Sequence, residues 1–223
     1  MRVPFVKMHG LGNDFVVLDA RAQTIPPMDA RLAAALADRR TGIGCDQLIL
    51  LEPSQVADVK MRIFNADGGE VEACGNATRC IATLLDGPAT IETLGGILHT
   101  TPGEFGATVT LMPPAFDWEL IPLAMPMDTR DMPVNWDELE RPAAVNVGNP
   151  HVIFFVPDCD AVDLESLGPI IEHDPLFPQR VNVNVASVAG ENHLKLRVWE
   201  RGVGLTRACG TGACATAVAA IRA

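Results

Sequence analysis

Lysine is nearly absent from this chain: only Lys7, Lys60 and Lys195 occur among 223 residues. Lys60 and Lys195 stand at equivalent strand starts and none of the three lies in a glycine-rich phosphate loop, so a cofactor held as a lysine Schiff base is disfavoured and no cofactor is expected. There is no C-x-x-C, no histidine pair at metal spacing, and the separations Cys74 to Cys80 and Cys209 to Cys214 do not resemble zinc-ligand pairs; no metal is expected. No apolar run approaches membrane-spanning length, and MRVPFVKMHGLGNDF has no apolar segment behind a basic start, which leads to the expectation of a cytoplasmic protein without a membrane partner. No basic stripe with interleaved aromatics is present, and a formal charge of −11 repels phosphate backbones, so nucleic acid is excluded as a partner. Six cysteines without a secretory signal read as reduced thiols rather than a disulfide scaffold.

What the chain does have is length for two domains, an apolar fraction of 48% to fill their cores, and an internal repeat. KMRIFNADGGEVEACG, from Lys60 to Gly75, lines up without gaps on KLRVWERGVGLTRACG, from Lys195 to Gly210, at an offset of 135 residues. Upstream, Gly12-Asn13 ahead of Phe15–Leu18 corresponds, with a small shift, to Gly148-Asn149 ahead of Val152–Phe155. The expected fold is therefore α/β (α+β), with two pseudo-symmetric domains from an internal duplication, residues 1–115 carrying Cys74 and residues 116–223 carrying Cys209. The pattern predicts strands at Val3–Val6, Phe15–Leu18, Gln47–Leu51 and Val59–Asn65, with a helix starting at Met28-Asp29 and another from Cys74 to about Leu85. The second half replays this with strands at 144–147, 152–156, 180–188 and 194–199, a short helix near Asp163–Leu167, and a helix from Cys209 to the end. The proline-rich stretch Pro113–Pro133 is the candidate linker. The strands expected over Thr90–Leu111 have no second-half counterpart, so the second domain is expected to lack its last strands.

Both repeated cysteines sit in Ala-Cys-Gly-(Asn/Thr) at a helix start. Unpaired backbone N–H groups and the helix dipole there are expected to draw a thiol pKa from its free value of ~8.5 towards neutrality. The same N–H groups bind carboxylates, with Gly75 and Gly210 allowing close approach. A duplicated unit packed about a pseudo-twofold axis would present the α-carbon of a bound amino acid to two sulfurs. One thiolate removes the α-proton, the opposite thiol supplies another, and the configuration inverts. A single Ala-Cys-Gly turn is ordinarily a packed strand-to-helix corner; two copies, each with a Gly-Asn turn at nearly the same distance upstream, argue for a site. Cys45, Cys80, Cys159 and Cys214, among small or apolar neighbours, are assigned to packing.

KMHGLGNDFVVLD, RTGIGCDQ, FNADGGEVEACGNATRC, VGNPH, RVNVNV and WERGVGLTRACGTGAC, in that order, resemble the signatures of the diaminopimelate epimerase family over essentially the whole chain. The resemblance implies a mixed, mainly antiparallel sheet wrapped around a central helix in each domain. It also implies a cofactor-independent, two-base epimerase that interconverts LL- and meso-diaminopimelate on the lysine and peptidoglycan route. Cys74 and Cys209 are then the catalytic pair, tuned by His151 and Glu200. Asn13, Gln47, Asn65, Asn149, Asn182, Glu200 and Arg201 surround the substrate, and Gly75-Asn76 and Gly210-Thr211 hold the reacting carboxylate. Arg201 suits a distal carboxylate held bidentately and Glu200 an ammonium. The first helix departs from the family's usual CGNGARC at Ala77, which leaves the Cys-Gly-Asn donors in place. A homodimer is the expected assembly.

Three other readings remain open at this level. A proline or hydroxyproline racemase of the same architecture usually carries Cys-Gly-His after the first base, where this chain has Cys74-Gly75-Asn76, and a small substrate leaves Arg201 unexplained. A non-catalytic binding module for a dicarboxylic amino acid would bind without solvent hydrogen exchange. A thiol-redox sensor would couple Cys74 to Cys209 as a disulfide.

Overall fold

Strands β1 (Val6–Gly10) and β2 (Asn13–Asp19) form a tight hairpin in which only Leu11 and Gly12 turn, both at positive φ. In this computed structural model, which describes residues 2–104 and 106–223, the first strand thus lies later than the expected Val3–Val6. His9 and Gly10 are drawn into it because they pair with Asp14 and Asn13. The chain divides into two units, Met1–Met112 and Pro113–Ala223.

In the first unit Asp29 caps α1 (Ala30–Ala37) by accepting from the Leu32 amide. Strand β3 (Gln47–Glu52) runs parallel to β2, and β4 (Val59–Asn65) returns antiparallel and pairs with the short β5 (Glu70–Val71). Helix α2 (Gly75–Ala82) follows, ending one turn short of the expected Leu85. Then come β6 (Ala89–Thr93), β7 (Gly96–Gly103) and β8 (Gly106–Thr110), with β6 parallel to β4 and the rest antiparallel. Helix α2 touches β1 at one end of the sheet and β7 and β8 at the other, so the sheet curls around it. Strand alternation separates two cores: Phe15, Ile49, Ile63 and Ile81 pack on the α2 side, and Val16, Leu48, Leu50 and Phe64 pack on the α1 side.

The second unit opens with the proline-rich stretch, which does not behave as a free linker: Ile121, Leu123 and Met132 are buried in that unit's core. A small hairpin, β9 (Asn135–Trp136) and β10 (Leu139–Glu140), precedes β11 (Ala143–Asn146) and β12 (Pro150–Phe155). After α3 (Leu164–Glu172), β13 (Asn182–Gly190) lies parallel to β12, and β14 (His193–Glu200) and β15 (Gly204–Thr206) continue antiparallel. Helix α4 (Gly210–Arg222) packs on β11 to β14. The path β11 to β15 repeats β1 to β5.

Register refines the repeat. Phe15 faces Gln47 across β2 and β3, as His151 faces Asn182 across β12 and β13. Phe15 is therefore matched by His151, not by Val152. Likewise Gln47 faces Asn65, and the Val183–Trp199 pair brings Asn182 alongside Glu200.

Candidate functional site

Each unit carries a polar cluster around its repeated cysteine, and the two clusters are built on the same plan. In the first, Cys74 is the N-cap of α2 in extended backbone, and its sulfur accepts from the Ala77 amide at 3.4 Å. The hairpin turn at Gly12, φ 91°, delivers Asn13, whose Oδ1 lies 3.7 Å from the Cys74 sulfur. Asn13 is oriented in turn by Asp46, which accepts from its Nδ2 at 3.1 Å. Gln47 donates to Asn65 Oδ1 at 2.9 Å, both side chains buried, while Gln47 Oε1 is left without a partner. Asn76 is buried in the first turn of α2.

Asp46 was not anticipated as part of this arrangement. It forms a reciprocal pair with Asp14, each carboxylate accepting the other's backbone N–H, at 3.0 and 2.9 Å. Arg39 bridges both carboxylates and Lys7 pairs with Asp14. Partial burial works to raise the Asp14 pKa, but hydrogen bonds from Arg39, Lys7 and the Asp46 amide outweigh it and hold the carboxyl well below the usual carboxylate range. A depressed folded-state pKa gives stability that is complete above the unfolded value of about 3.9 and drains away as pH falls through the folded one. Arg39→Gln is expected to flatten the fall in urea midpoint below about pH 4 and to cost about 1 kcal/mol at neutral pH, given the partial exposure of Arg39. Identical acid profiles for variant and parent would remove the cluster from the stability argument.

In the second cluster Cys209 is the N-cap of α4, its sulfur accepting from the Gly212 amide at 3.3 Å and lying 3.4 Å from Thr211 Oγ1. The expected drift of this thiol towards neutrality is overturned. Burial, and then the negative charge of Glu200, push Cys209 up to about 12, more than the Thr211 and Gly212 hydrogen bonds can offset. Cys209 is therefore a thiol at neutral pH. His151 is fully buried, and burial pushes its pKa down to about 3, so it is a neutral imidazole. Its Nε2 lies 3.0 Å from Asn149 Oδ1 and 3.1 Å from Thr211 Oγ1, and its Nδ1 lies 3.1 Å from Asn184 Nδ2. Asn149, delivered by the turn at Gly148, donates to Thr211 Oγ1 at 3.3 Å.

Glu200 accepts from the Thr206 hydroxyl at 2.5 Å. The Arg201 amide donates to Asn182 Oδ1 at 3.0 Å and Arg201 Nη1 to the Gln179 carbonyl at 3.0 Å. Buried Glu172 clamps this turn, accepting from Trp199 Nε1 at 2.7 Å and from the Gly202 amide at 2.9 Å. Asn13, Gln47, Asn65, Gly75 and Asn76 thus gather about Cys74's helix and strand ends, and Asn149, His151, Asn182, Glu200, Arg201, Gly210 and Thr211 about those of Cys209. Asp46, Glu172 and Asn184 are the supporting residues that sequence reasoning passed over. Asn184 had one available signal: it stands two residues from Asn182 on a strand and so shares its face.

Cys45, Cys80 and Cys159 are buried as expected, but Cys214 is exposed, because its side of α4 points away from the sheet. Among the described residues the one cluster of potential metal-ligating groups is Asp158, Cys159 and Asp160, with Asp160 ion-paired to Lys195. No helix of the described residues is long and apolar enough to cross a membrane.

Residues 5–113 and 143–223 match the diaminopimelate epimerase family. This chain belongs to that family. It is 76% identical to the diaminopimelate epimerase of Sphingopyxis alaskensis over 98% of the chain and 81% of the relative, and 68% identical to that of Erythrobacter litoralis over 100% and 82%. A solved structure of a probable proline racemase from Agrobacterium radiobacter superposes with a TM-score of 0.72 at 14% identity, covering 99% of this chain and 77% of that one. A hydroxyproline epimerase from Agrobacterium vitis gives 0.68 at 14% identity, over 97% and 75%. At such identities the likeness speaks for the fold alone, and the diaminopimelate epimerase family shares that curled-sheet fold.

Proposed function

We propose that this member of the diaminopimelate epimerase family interconverts LL- and meso-diaminopimelate without a cofactor, with Cys74 and Cys209 as its two bases. The observation that carries the reading is the equivalence of the thiols: each caps a helix N-terminus and accepts the third backbone N–H of that helix. In one direction a Cys74 thiolate takes the α-proton as its S–H bond forms, leaving the electron pair on the α-carbon and its carboxylate. Cys209, a thiol at neutral pH, then delivers its proton to the opposite face and becomes the thiolate. The reverse direction exchanges their roles. Backbone N–H groups at Gly75-Asn76 and Gly210-Thr211 are the donors for the enolate-like charge, each contributing about 3 kcal/mol.

Where the halves differ, the substrate must differ along its length. Asn65 is matched by Glu200 and Ala66 by Arg201, so at these two equivalent positions only the second half offers a carboxylate and a guanidinium. That asymmetry suits a long substrate with an ammonium and a carboxylate at its non-reacting end. We assign the two thiols to domains 1–115 and 116–223, in a cytoplasmic homodimer.

The test is proton NMR of LL-diaminopimelate in D₂O with reductant. Loss of the α-proton signal with growth of the meso isomer supports the reading. Turnover of proline with diaminopimelate untouched would move the chain to a racemase, and binding without exchange would leave a binding module.

A further inference from the structure

We propose that Asn184 is a positioning residue that, by fixing the tautomer of His151, aims the Thr211 hydroxyl at the Cys209 sulfur. The inference rests on the epimerase reading for its biological meaning, but its chemistry is internal to the second unit.

The argument begins with a comparison of the two units. On the face of the sheet that meets the cysteine helix, register matches His151 to Phe15 and Asn184 to Ile49. All four side chains are completely buried. In the first unit the pair is hydrocarbon, packed in one cluster with Cys74, Ala77 and Ile81. The fold therefore has an apolar solution at this place, and the second unit does not use it. It holds a polar pair instead, and at a cost, since Asn184 Oδ1 is buried without a hydrogen-bond partner. A side chain at Gly212 would meet that oxygen at 3.1 Å, so the first turn of α4 is itself shaped to admit Asn184.

Donors and acceptors then fix one another in sequence. Asn184 Nδ2 donates to His151 Nδ1, which makes Nδ1 the acceptor and places the ring proton of the neutral imidazole on Nε2. Nε2–H faces Asn149 Oδ1 and Thr211 Oγ1. With its oxygen turned to His151, the Asn149 amide presents Nδ2 to Thr211 Oγ1. The Thr211 oxygen is thus met by N–H groups from two sides, and its own hydrogen is left for the sulfur 3.4 Å away. Were the proton on Nδ1 instead, Nε2 would accept, the Asn149 amide would reverse, and the Thr211 hydrogen would go to one of them. Cys209 has particular use for this donor. It faces the Glu200 carboxylate, where the first unit has neutral Asn65.

The test combines tautomer, thiol reactivity and coupling. In ¹⁵N spectra of the imidazoles, His151 is expected as the neutral Nε2–H form, unchanged from pH 5 to 9. An Nδ1–H form, or a titration within that range, overturns the proposal. The double substitution His151→Phe/Asn184→Ile imports the first unit's own apolar pair and so preserves packing. It is expected to slow alkylation of Cys209, followed by peptide mass spectrometry from pH 7 to 10, about tenfold for one lost hydrogen bond to a thiolate. Exposed Cys214, on the same helix, should be unaffected. In a Thr211→Val background the double substitution should have no further effect, because it acts through that hydroxyl. An unchanged Cys209 rate in a folded variant, or full additivity with Thr211→Val, would reduce Asn184 to packing. Because alkylation needs no substrate, its result stands whether or not the chain turns over diaminopimelate.

Discussion

Cys74→Ala and Cys209→Ala are each expected to cut epimerisation by about 10²–10⁴-fold, the range for loss of a positioned acid or base. Their effects on the fold should be small. Each sulfur accepts one helix N–H, from Ala77 or Gly212, and loss of such a cap costs about 1 kcal/mol. Far-UV circular dichroism and urea midpoints will separate the two effects. The two losses should also be of similar size, because inversion needs both a removal and a delivery in every turnover. If either alanine variant kept a tenth or more of the parental turnover, the corresponding thiol would not be one of two obligatory bases. On the two-base reading, raising the pH should not rescue Cys209→Ala, since that reading makes the missing group the proton carrier itself.

Cysteine position was legible in the sequence because the repeat preserved it at one offset, and because a small residue followed by glycine at the start of an apolar periodicity reads as a helix cap. Cysteine chemistry was not. The helix terminus argues for an easily ionised thiol, and at Cys209 the hydrogen bonds from Thr211 and the Gly212 amide do act in that direction. At Cys209, however, burial and the Glu200 charge prevail, and both depend on how β14 and α4 meet rather than on any local signal. The first strand was misplaced for a similar reason. His9-Gly-Leu-Gly reads as a turn by composition, but cross-strand pairing with Asn13 and Asp14 leaves only two residues to turn. Asn184 was passed over because its one signal, a place two residues from Asn182 on the same strand face, does not say what the side chain meets. Only the register, which sets it against Ile49 of the other unit, shows that a polar group stands where the fold accepts an apolar one.

Arg201→Met is expected to raise KM for diaminopimelate about 10²-fold, with a smaller loss in kcat, if the guanidinium binds the carboxylate farthest from the reacting carbon. The backbone at this turn is held independently of the Arg201 side chain: Asn182 accepts from the Arg201 amide and Glu172 from the Gly202 amide. Removing the guanidinium should therefore leave Glu200 in place and the Cys209 thiol unaltered in its alkylation profile. Arg201→Lys should restore little, because an ammonium lacks the planar fork that grips a carboxylate in two places. The contrast that isolates this role is a substrate analogue without the distal carboxylate. Parent and Arg201→Met should bind it equally weakly, since the analogue has already lost the group that the side chain serves. A variant whose KM for diaminopimelate is unchanged would move the distal carboxylate to other donors and leave Arg201 as a brace on the Gln179 carbonyl.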